Sequence, residues 1–579
     1  MDTDFPNLNA LWSHVLVQTL ADRGMEYAVI CPGSRSSPLA FAFSKCETIE
    51  AISVLDERSA AFFAMGLAKR SGKPAALVCT SGTAAANFFP AIIEASESSI
   101  PMLVLTADRP PEMRQNSAGQ TIDQVKLYGG YVKEQIDVAV PEASVQLLRY
   151  LRETASYFFS QSVAHPRGPV HLNMPFRDPL PPIRDSHFLE VCEKANLSAI
   201  LESSRTGIEV PAVRSIDLSD FVDTDKGVLI VGPHSPMDAD SWVAGVCDLA
   251  QRLGWPVLCD GLNPLRSSGA SLDLVTHYDT IVRSEDFIAR YRPEKAIVLQ
   301  ELPTSKVLRS LIAQSDMELM FLSALGRDLN APSARARCVQ CDLSLDRALL
   351  SEQPKGEFHS AWAKAQDLMQ SFFASKLDGA NSLFEGRVAS VLSEKLQEGA
   401  SVLFSNGMPP RDCEFFWRSG SGKQKIYFNR GVNGIDGVLS TALGVAHRGA
   451  PTVLVIGDLA LLHDTNGALL NQIFEGSLTI LLINNAGGGI FEMLPVAEFG
   501  STFEQYFACE QHLEFSDWAK TYRISYDLIN DWEHLEKRVT SLPNKGIQLL
   551  ELKTDRKSDA ACRKAWFNEG AALLDERFG

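Results

Sequence analysis

Two strand-like apolar runs end in residues able to hold a hard cation. Thr452-Val453-Leu454-Val455-Ile456 leads into Gly457-Asp458, and Leu478-Thr479-Ile480-Leu481-Leu482-Ile483 leads into Asn484-Asn485, with Gly487-Gly488-Gly489 just beyond. The carboxylate of Asp458, the amide oxygen of Asn485 and a glycine carbonyl are the oxygen ligands Mg²⁺ prefers when phosphate oxygens complete its octahedron. Alone, a Gly-Asp is more often a helix cap and an Asn-Asn-Ala-Gly a turn. Recurrence after a second buried strand turns the pair toward a magnesium and diphosphate site. Glu57, in Leu55-Asp56-Glu57-Arg58-Ser59, stands where a strand gives way to an apolar helix, placed for partial desolvation and proton exchange. Its plainer reading is a solvated acid that favours the helix dipole. Four arginines stand on strand-end loops: Arg35 in Cys31-Pro32-Gly33-Ser34-Arg35, Arg109 in Asp108-Arg109-Pro110, Arg411 after Ser405-Asn406-Gly407, and Arg430 in Asn429-Arg430-Gly431. Guanidinium groups grip carboxylates through two hydrogen bonds, so the set suits a multiply anionic substrate, although any one alone is more often an ion pair.

Three α/β blocks must position these residues: 1–182, 205–350 and 381–579. In the first, strands are expected at Tyr27–Cys31, Ala51–Val54, Ala75–Cys79 and Met102–Thr106, with helices from Leu8 and from Ser59 to Ser71. Such alternation means a parallel sheet covered by helices. The block closes in Pro175-Phe176-Arg177-Asp178-Pro179-Leu180-Pro181-Pro182, a natural linker. The second block has strands near Val228–Val231, Pro256–Cys259, Ala296–Leu299 and Glu318–Leu322 and few reactive residues. A charged helical stretch, Phe358–Phe373, leads to the third block, where a helix over Thr465–Phe474 is expected to carry the chain between the two ligand-bearing strands. The formal charge of −17 disfavours nucleic acid and anionic membranes as partners. Eleven scattered cysteines suit a reducing compartment, and Cys338 and Cys341 lack the second pair a zinc site needs. The acidic start Met1-Asp2-Thr3-Asp4 is unlike a signal peptide, so the expected location is cytoplasmic, or an organelle interior if a targeting segment has been removed.

The Gly-Asp to Asn-Asn pair in the last block, with an acid at a strand-helix junction in the first, resembles thiamine diphosphate enzymes of the decarboxylase type over nearly the whole chain. The resemblance implies three doubly wound, mostly parallel α/β domains: a pyrimidine-binding domain (1–182), a mainly structural central domain (205–350) and a diphosphate- and Mg-binding domain (381–579). It implies thiamine diphosphate with Mg²⁺, or Mn²⁺ in its place. Glu57 would hydrogen-bond the aminopyrimidine and help deprotonate the thiazolium. Asp458, Asn485 and the Gly487 carbonyl would hold the metal, while Asn406, Leu459, Ile490 and Phe491 line the cofactor pocket and Ile435 supports the bent cofactor. Leu459 replaces the last glycine of the usual Gly-Asp-Gly, which leaves the metal ligand in place.

The strings PGSRSSP, ADRPPE, NRGxxGIDG and NNxGGxIF are similar to one branch of that family. That branch decarboxylates 2-oxoglutarate and adds the succinic semialdehyde carbanion equivalent to isochorismate in menaquinone and phylloquinone biosynthesis. By this resemblance Ser34, Arg35, Arg109, Gln120, Lys306, Arg411 and Arg430 bind the substrates, with Ile490, Phe491 and Leu494 lining their pocket. It further implies a homodimer or a dimer of dimers, with the pyrimidine domain of one subunit facing the diphosphate domain of another. The rival readings are another thiamine diphosphate-dependent 2-oxo acid decarboxylase or acetolactate synthase-like enzyme, which needs fewer carboxylate clamps, and a catalytically silent relative, which has no reason to keep Glu57, Asp458 and Asn485 together.

Overall fold

The computed structural model describes residues 5–185, 188, 214–236, 238–324, 336–380, 382–420 and 422–579. The expected start of the central block at 205 lies outside them. The chain divides into two compact units, one of Met1–Glu209, Asn429–Gly449 and His463–Glu475, the other of Val210–Phe428, Ala450–Leu462 and Gly476–Gly579.

The first unit is built on β1 (Tyr27–Ile30), β2 (Glu50–Ser53), β3 (Ala75–Cys79), β4 (Met102–Asp108), β5 (Gln135–Asp137) and β6 (Pro169–Pro175). They form one sheet in the order β2-β1-β3-β4-β6-β5, every pair parallel. β3, β4 and β6 are buried along their whole length, as strands covered on both faces must be. Leu16, Phe43, Leu103, Leu105 and Leu172 belong to the apolar core on this sheet. From β1 the chain steps outward to β2 and then returns to the other side of β1 as β3, so the loops after β1 and β3 diverge and leave a crevice at the strands' carboxyl ends.

One helix of this unit runs Glu57–Ser71, two residues earlier than the apolar pattern suggests. The reason is the cap: Asp56 accepts the Ser59 N–H at 3.1 Å, which leaves Glu57 in the first turn. Ser59 through Leu67 and Ala68 are all buried. This helix packs on Val438–Ala446 with backbones in close approach: a Cβ on Gly66 would lie 2.2 Å from the Thr441 carbonyl oxygen, and one on Gly444 2.2 Å from that of Phe63. In place of one helix over Thr465–Phe474, an α-helix spans Asp458–His463 and a 3₁₀ segment Thr465–Gln472. Asn466 and Gly467 are poor helix formers, and the Asn466 amide is held by Asp56 at 2.7 Å.

The second unit carries β7 (Ser215–Asp217), β8 (Gly227–Val231), β9 (Val257–Cys259), β10 (Leu274–Val275), β11 (Lys295–Leu299), β12 (Glu318–Ser323), β13 (Ala336–Gln340), β14 (Arg347–Leu349), β15 (Ser401–Phe404), β16 (Lys425–Phe428), β17 (Thr452–Gly457), β18 (Ser477–Asn484), β19 (Ser525–Ile529) and β20 (Gly546–Lys553). Two six-stranded sheets result, β10-β9-β8-β11-β12-β13 and β16-β15-β17-β18-β20-β19, with β7 and β14 paired apart. Both large sheets are wholly parallel. The charged stretch after the central sheet forms helix Glu357–Asp378, longer than the expected Phe358–Phe373. Reversals of strand order fall between β8 and β11 and between β15 and β17. Cys338 is exposed on β13 and Cys341 is buried just past it; among the described residues no cluster of His, Cys, Asp and Glu could hold a metal. No helix among those residues is long and apolar enough to cross a membrane.

Candidate active site

Asp458 and Asn485 stand at the carboxyl ends of adjacent parallel strands, because β17 and β18 pair in register from Thr452 with Leu478 to Gly457 with Ile483. The Asp458 carboxylate accepts the Leu459 N–H and the Gly487 N–H, each at 2.8 Å. Burial pushes this carboxyl up to about 6 although both N–H groups favour its charged form, and Glu385 adds to the rise. A positive ion beside it would remove that cost. Gly487 has φ +122°, and a Cβ there would lie 2.2 Å from the Ala508 carbonyl oxygen, so glycine is required on both counts.

Asn485 is 6% exposed, and its Nδ2 donates to Glu385 Oε2 at 2.7 Å. Its Oδ1 is buried and, among the described residues, has no hydrogen-bond partner. Leaving an amide oxygen buried and unpaired is costly unless something else uses it. A hard cation between Asn485 Oδ1 and Asp458 is the partner these donors fit. Arg556 holds the loop from outside, donating to the Ala486 carbonyl at 2.7 Å and to Glu492 at 2.9 Å, and it also pairs with Glu504. Ile490, Phe491 and Leu494 follow on the same loop, each partly buried, as is Leu459.

Asn406 is buried at the end of β15, beside the strand reversal between β15 and β17. Arg411 lies in the first turn of helix Pro409–Phe416 and donates to the Gly407 carbonyl at 2.5 Å. Its neighbours fix the helix: Asp412 is held by Arg563 at 2.7 Å, and Glu414 Oε1 accepts from Tyr278 at 2.5 Å and from the Ser305 N–H at 2.9 Å. Burial pushes Glu414 well above the usual carboxylate range. Because Ser305 also caps the helix that Lys306 begins, this carboxyl ties the loop after β11 to the Arg411 helix. Lys306 itself is exposed.

In the first unit, Glu57, Arg35, Arg109 and Gln120 gather around the ends of β1, β3 and β4. Glu57 is partly buried, 3.5 Å from the Asn87 amide, and its charge adds to the burial that pushes the Cys31 and Cys79 thiols up. Arg35 is buried and donates to the Phe176 carbonyl at 2.8 Å; the neighbouring Ser34 is exposed. Arg109 donates to the Gly119 carbonyl at 2.9 Å, and Gln120 to that of Ser81 at 3.1 Å, which docks the Gln120 loop onto the end of β3. The Nε atoms of Arg35 and Arg109 are buried with no partner among the described residues. Arg430 and Ile435, both partly buried, follow β16 in sequence but belong to this unit.

Residues that the sequence does not single out do much of the positioning. Glu94 is buried and accepts the Gly431 and Val432 N–H groups, each at 2.9 Å, which fixes the backbone after Arg430. Glu385, Asp412, Arg556 and Arg563 frame the Asp458 and Asn485 loops. One signal for the last two was present: Arg556 and Arg563 are seven residues apart on the final helix, on one face with Ala560 and Phe567.

The description "Thiamine pyrophosphate enzyme, N-terminal TPP binding domain" matches residues 12–127. In fold, the chain is similar to benzoylformate decarboxylase from Polynucleobacter necessarius, with a TM-score of 0.65, 15% identity, and 94% of this chain and 98% of that one covered. In sequence, it is 41% identical to the 2-succinyl-5-enolpyruvyl-6-hydroxy-3-cyclohexene-1-carboxylate synthase of Acaryochloris marina, over 98% of this chain and 99% of that protein. The protein of the same name from Trichormus variabilis is 43% identical, over 97% and 98%. Relatedness at this level from end to end takes in both units and all the loops described above. The chain thus belongs to the 2-succinyl-5-enolpyruvyl-6-hydroxy-3-cyclohexene-1-carboxylate synthase family of thiamine diphosphate-dependent enzymes.

Proposed function

We propose that this protein decarboxylates 2-oxoglutarate and joins the remaining four-carbon unit to isochorismate by 1,4-addition. The product is 2-succinyl-5-enolpyruvyl-6-hydroxy-3-cyclohexene-1-carboxylate, on the route to menaquinone or phylloquinone. Thiamine diphosphate, when bound, supplies the thiazolium ring that accepts the electron pair left by loss of CO₂. The chain's own residues bind, orient and exchange protons. Glu57, at a helix start and partly buried, would hydrogen-bond the aminopyrimidine and exchange a proton with it. Asp458, Asn485 and the Gly487 carbonyl would hold Mg²⁺, and Asn406, Leu459 and Ile435 would shape the cofactor pocket. Arg35, Arg109, Gln120, Arg411, Arg430 and Lys306, with Ser34, hold the substrate carboxylates, and Ile490, Phe491 and Leu494 cover their apolar parts. The domains are read as 1–182, 205–350 and 381–579, working in a homodimer or dimer of dimers in which Glu57 of one copy serves the diphosphate site of another.

The observation that carries this reading is the buried, partnerless Asn485 Oδ1 beside Asp458, in a chain related throughout to synthases of that name. The test is mass identification of the product made from both substrates with thiamine diphosphate and Mg²⁺. The expected mass is that of the coupled acid, and chelation of the metal abolishes its formation. Release of CO₂ from 2-oxoglutarate at a rate indifferent to isochorismate, with no coupled product, would instead make the protein a simple 2-oxo acid decarboxylase.

A further inference from the structure

A side-chain amide presents an oxygen and a nitrogen of nearly equal size, and only the oxygen can bind a cation. Asn485 must therefore be held the right way round. Its Nδ2 lies 2.7 Å from Glu385 Oε2, and the other oxygen of that carboxylate accepts from Arg563 Nη2 at 2.7 Å. Arg563 in turn donates through Nε and Nη2 to the two oxygens of Asp412, at 2.8 and 2.7 Å, and its guanidinium lies 5.1 Å from the centre of the Phe384 ring. The Glu385 N–H is held by Asp559 at 3.3 Å. Glu385 and Arg563 are each 1% exposed, so water cannot stand in for a missing partner. Gly489 leaves room on the same side, since a Cβ there would come within 2.5 Å of Asn485 Nδ2.

We infer that Glu385, fixed by Arg563, is a positioning residue that turns the Asn485 oxygen toward the cation. The inference rests on reading Asn485 as a cation ligand, and it makes a specific claim about what an isosteric change does. Arg563 has donors only, so in Glu385→Gln the new side chain must give its oxygen to Arg563 and its NH₂ group to Asn485. Two NH₂ groups cannot face each other. Asn485 relieves the conflict by turning over, and its nitrogen then points at the cation. The double variant Glu385→Gln/Asn485→Asp undoes this, because the carboxylate introduced on the ligand loop offers one oxygen to the new amide and the other to the cation.

The experiment is a Mn²⁺ titration of the full-length protein with saturating thiamine diphosphate, followed by electron paramagnetic resonance of the free ion, with circular dichroism to check folding. Glu385→Gln is expected to weaken Mn²⁺ binding about 10- to 100-fold, the usual cost of losing a residue that orients a ligand. The double variant is expected to regain most of that loss. A Glu385→Gln protein that binds Mn²⁺ as tightly as wild type overturns the inference, and so does a double variant no tighter than the single one. Should the single variant fail to fold, the double variant decides alone: near-wild-type binding supports the inference, and a roughly tenfold or greater loss overturns it. A wild-type protein that takes up no Mn²⁺ removes the ligand reading itself, and this inference with it, so the two failures are distinct.

Discussion

Glu57 is the residue on which proton exchange is expected to depend. It opens its helix, lies partly buried and has the Asn87 amide at 3.5 Å. Glu57→Gln keeps the shape and removes the transferable proton, so the rate of coupled product formation should fall about 10²- to 10⁴-fold while thiamine diphosphate affinity changes little. A rate within about tenfold of wild type would exclude the proposed role. Asp464 tests a different property. Its carboxylate accepts the Ser440 N–H at 2.7 Å and the Ser440 hydroxyl at 3.1 Å, and burial raises it from its ordinary 3.8 to about 6. The folded state thus keeps a proton that the unfolded chain has lost, and between those two values this group makes stability fall as pH rises. Asp464→Asn can keep both hydrogen bonds, with the hydroxyl reversed, and has no such titration. Between about pH 4 and 6 its melting temperature should therefore gain on that of wild type as pH rises; parallel curves would refute the assignment.

Two helices that touch through glycine show what an element contributes. Glu57–Ser71 and Val438–Ala446 meet where Gly66 and Gly444 leave no room for a methyl group against the opposing carbonyl oxygens. Gly66→Ala must push the helices apart at a cost of about 1–3 kcal/mol, visible as a lower thermal midpoint. Gly130→Ala, where nothing lies within 4 Å of the added carbon, is the control and should not change it. Elements of this kind were legible where the signal is local. The apolar runs before Asp458 and Asn485 are the strands β17 and β18, and the parallel sheets are those the alternating pattern implied; the reversals of strand order, which place the loops of Arg35, Asn406 and Asp458 at crevices, come from the fold. The 3₁₀ segment Thr465–Gln472 was not legible, because a helical apolar spacing says nothing of the long-range grip of Asp56 on Asn466. The same holds for Glu385, which meets Asn485 across 100 residues of chain and Arg563 across 178. A charged side chain reads as solvated until the fold shows what it faces. Glu94, which fixes the Arg430 loop, escaped for that reason too.

At the scale of the whole molecule, a net charge of −17 repels anions at long range, so the substrate binding proposed for the arginine loops has to act locally. The proposed sharing of sites between copies has a simple check. Glu57→Gln and Asp458→Ala chains, co-expressed with different tags and purified as a mixed dimer, would form one intact site and one doubly altered site. The purified mixed dimer of two inactive chains should then recover about half of wild-type activity, because one of its two sites is intact. No recovery would place both residues in the service of one chain's own site. The final helix, Arg556–Phe578, adds a constraint in time. It is made after every strand and every expected ligand, yet it supplies the guanidinium groups that Glu385, Asp412 and Glu492 need in order to be buried. Until Arg556 and Arg563 have left the ribosome those carboxylates are costly to enclose. A nascent chain halted before Arg563 would hold Asp458, Asn485 and Glu385 but lack the guanidinium that the buried Glu385 carboxylate pairs with.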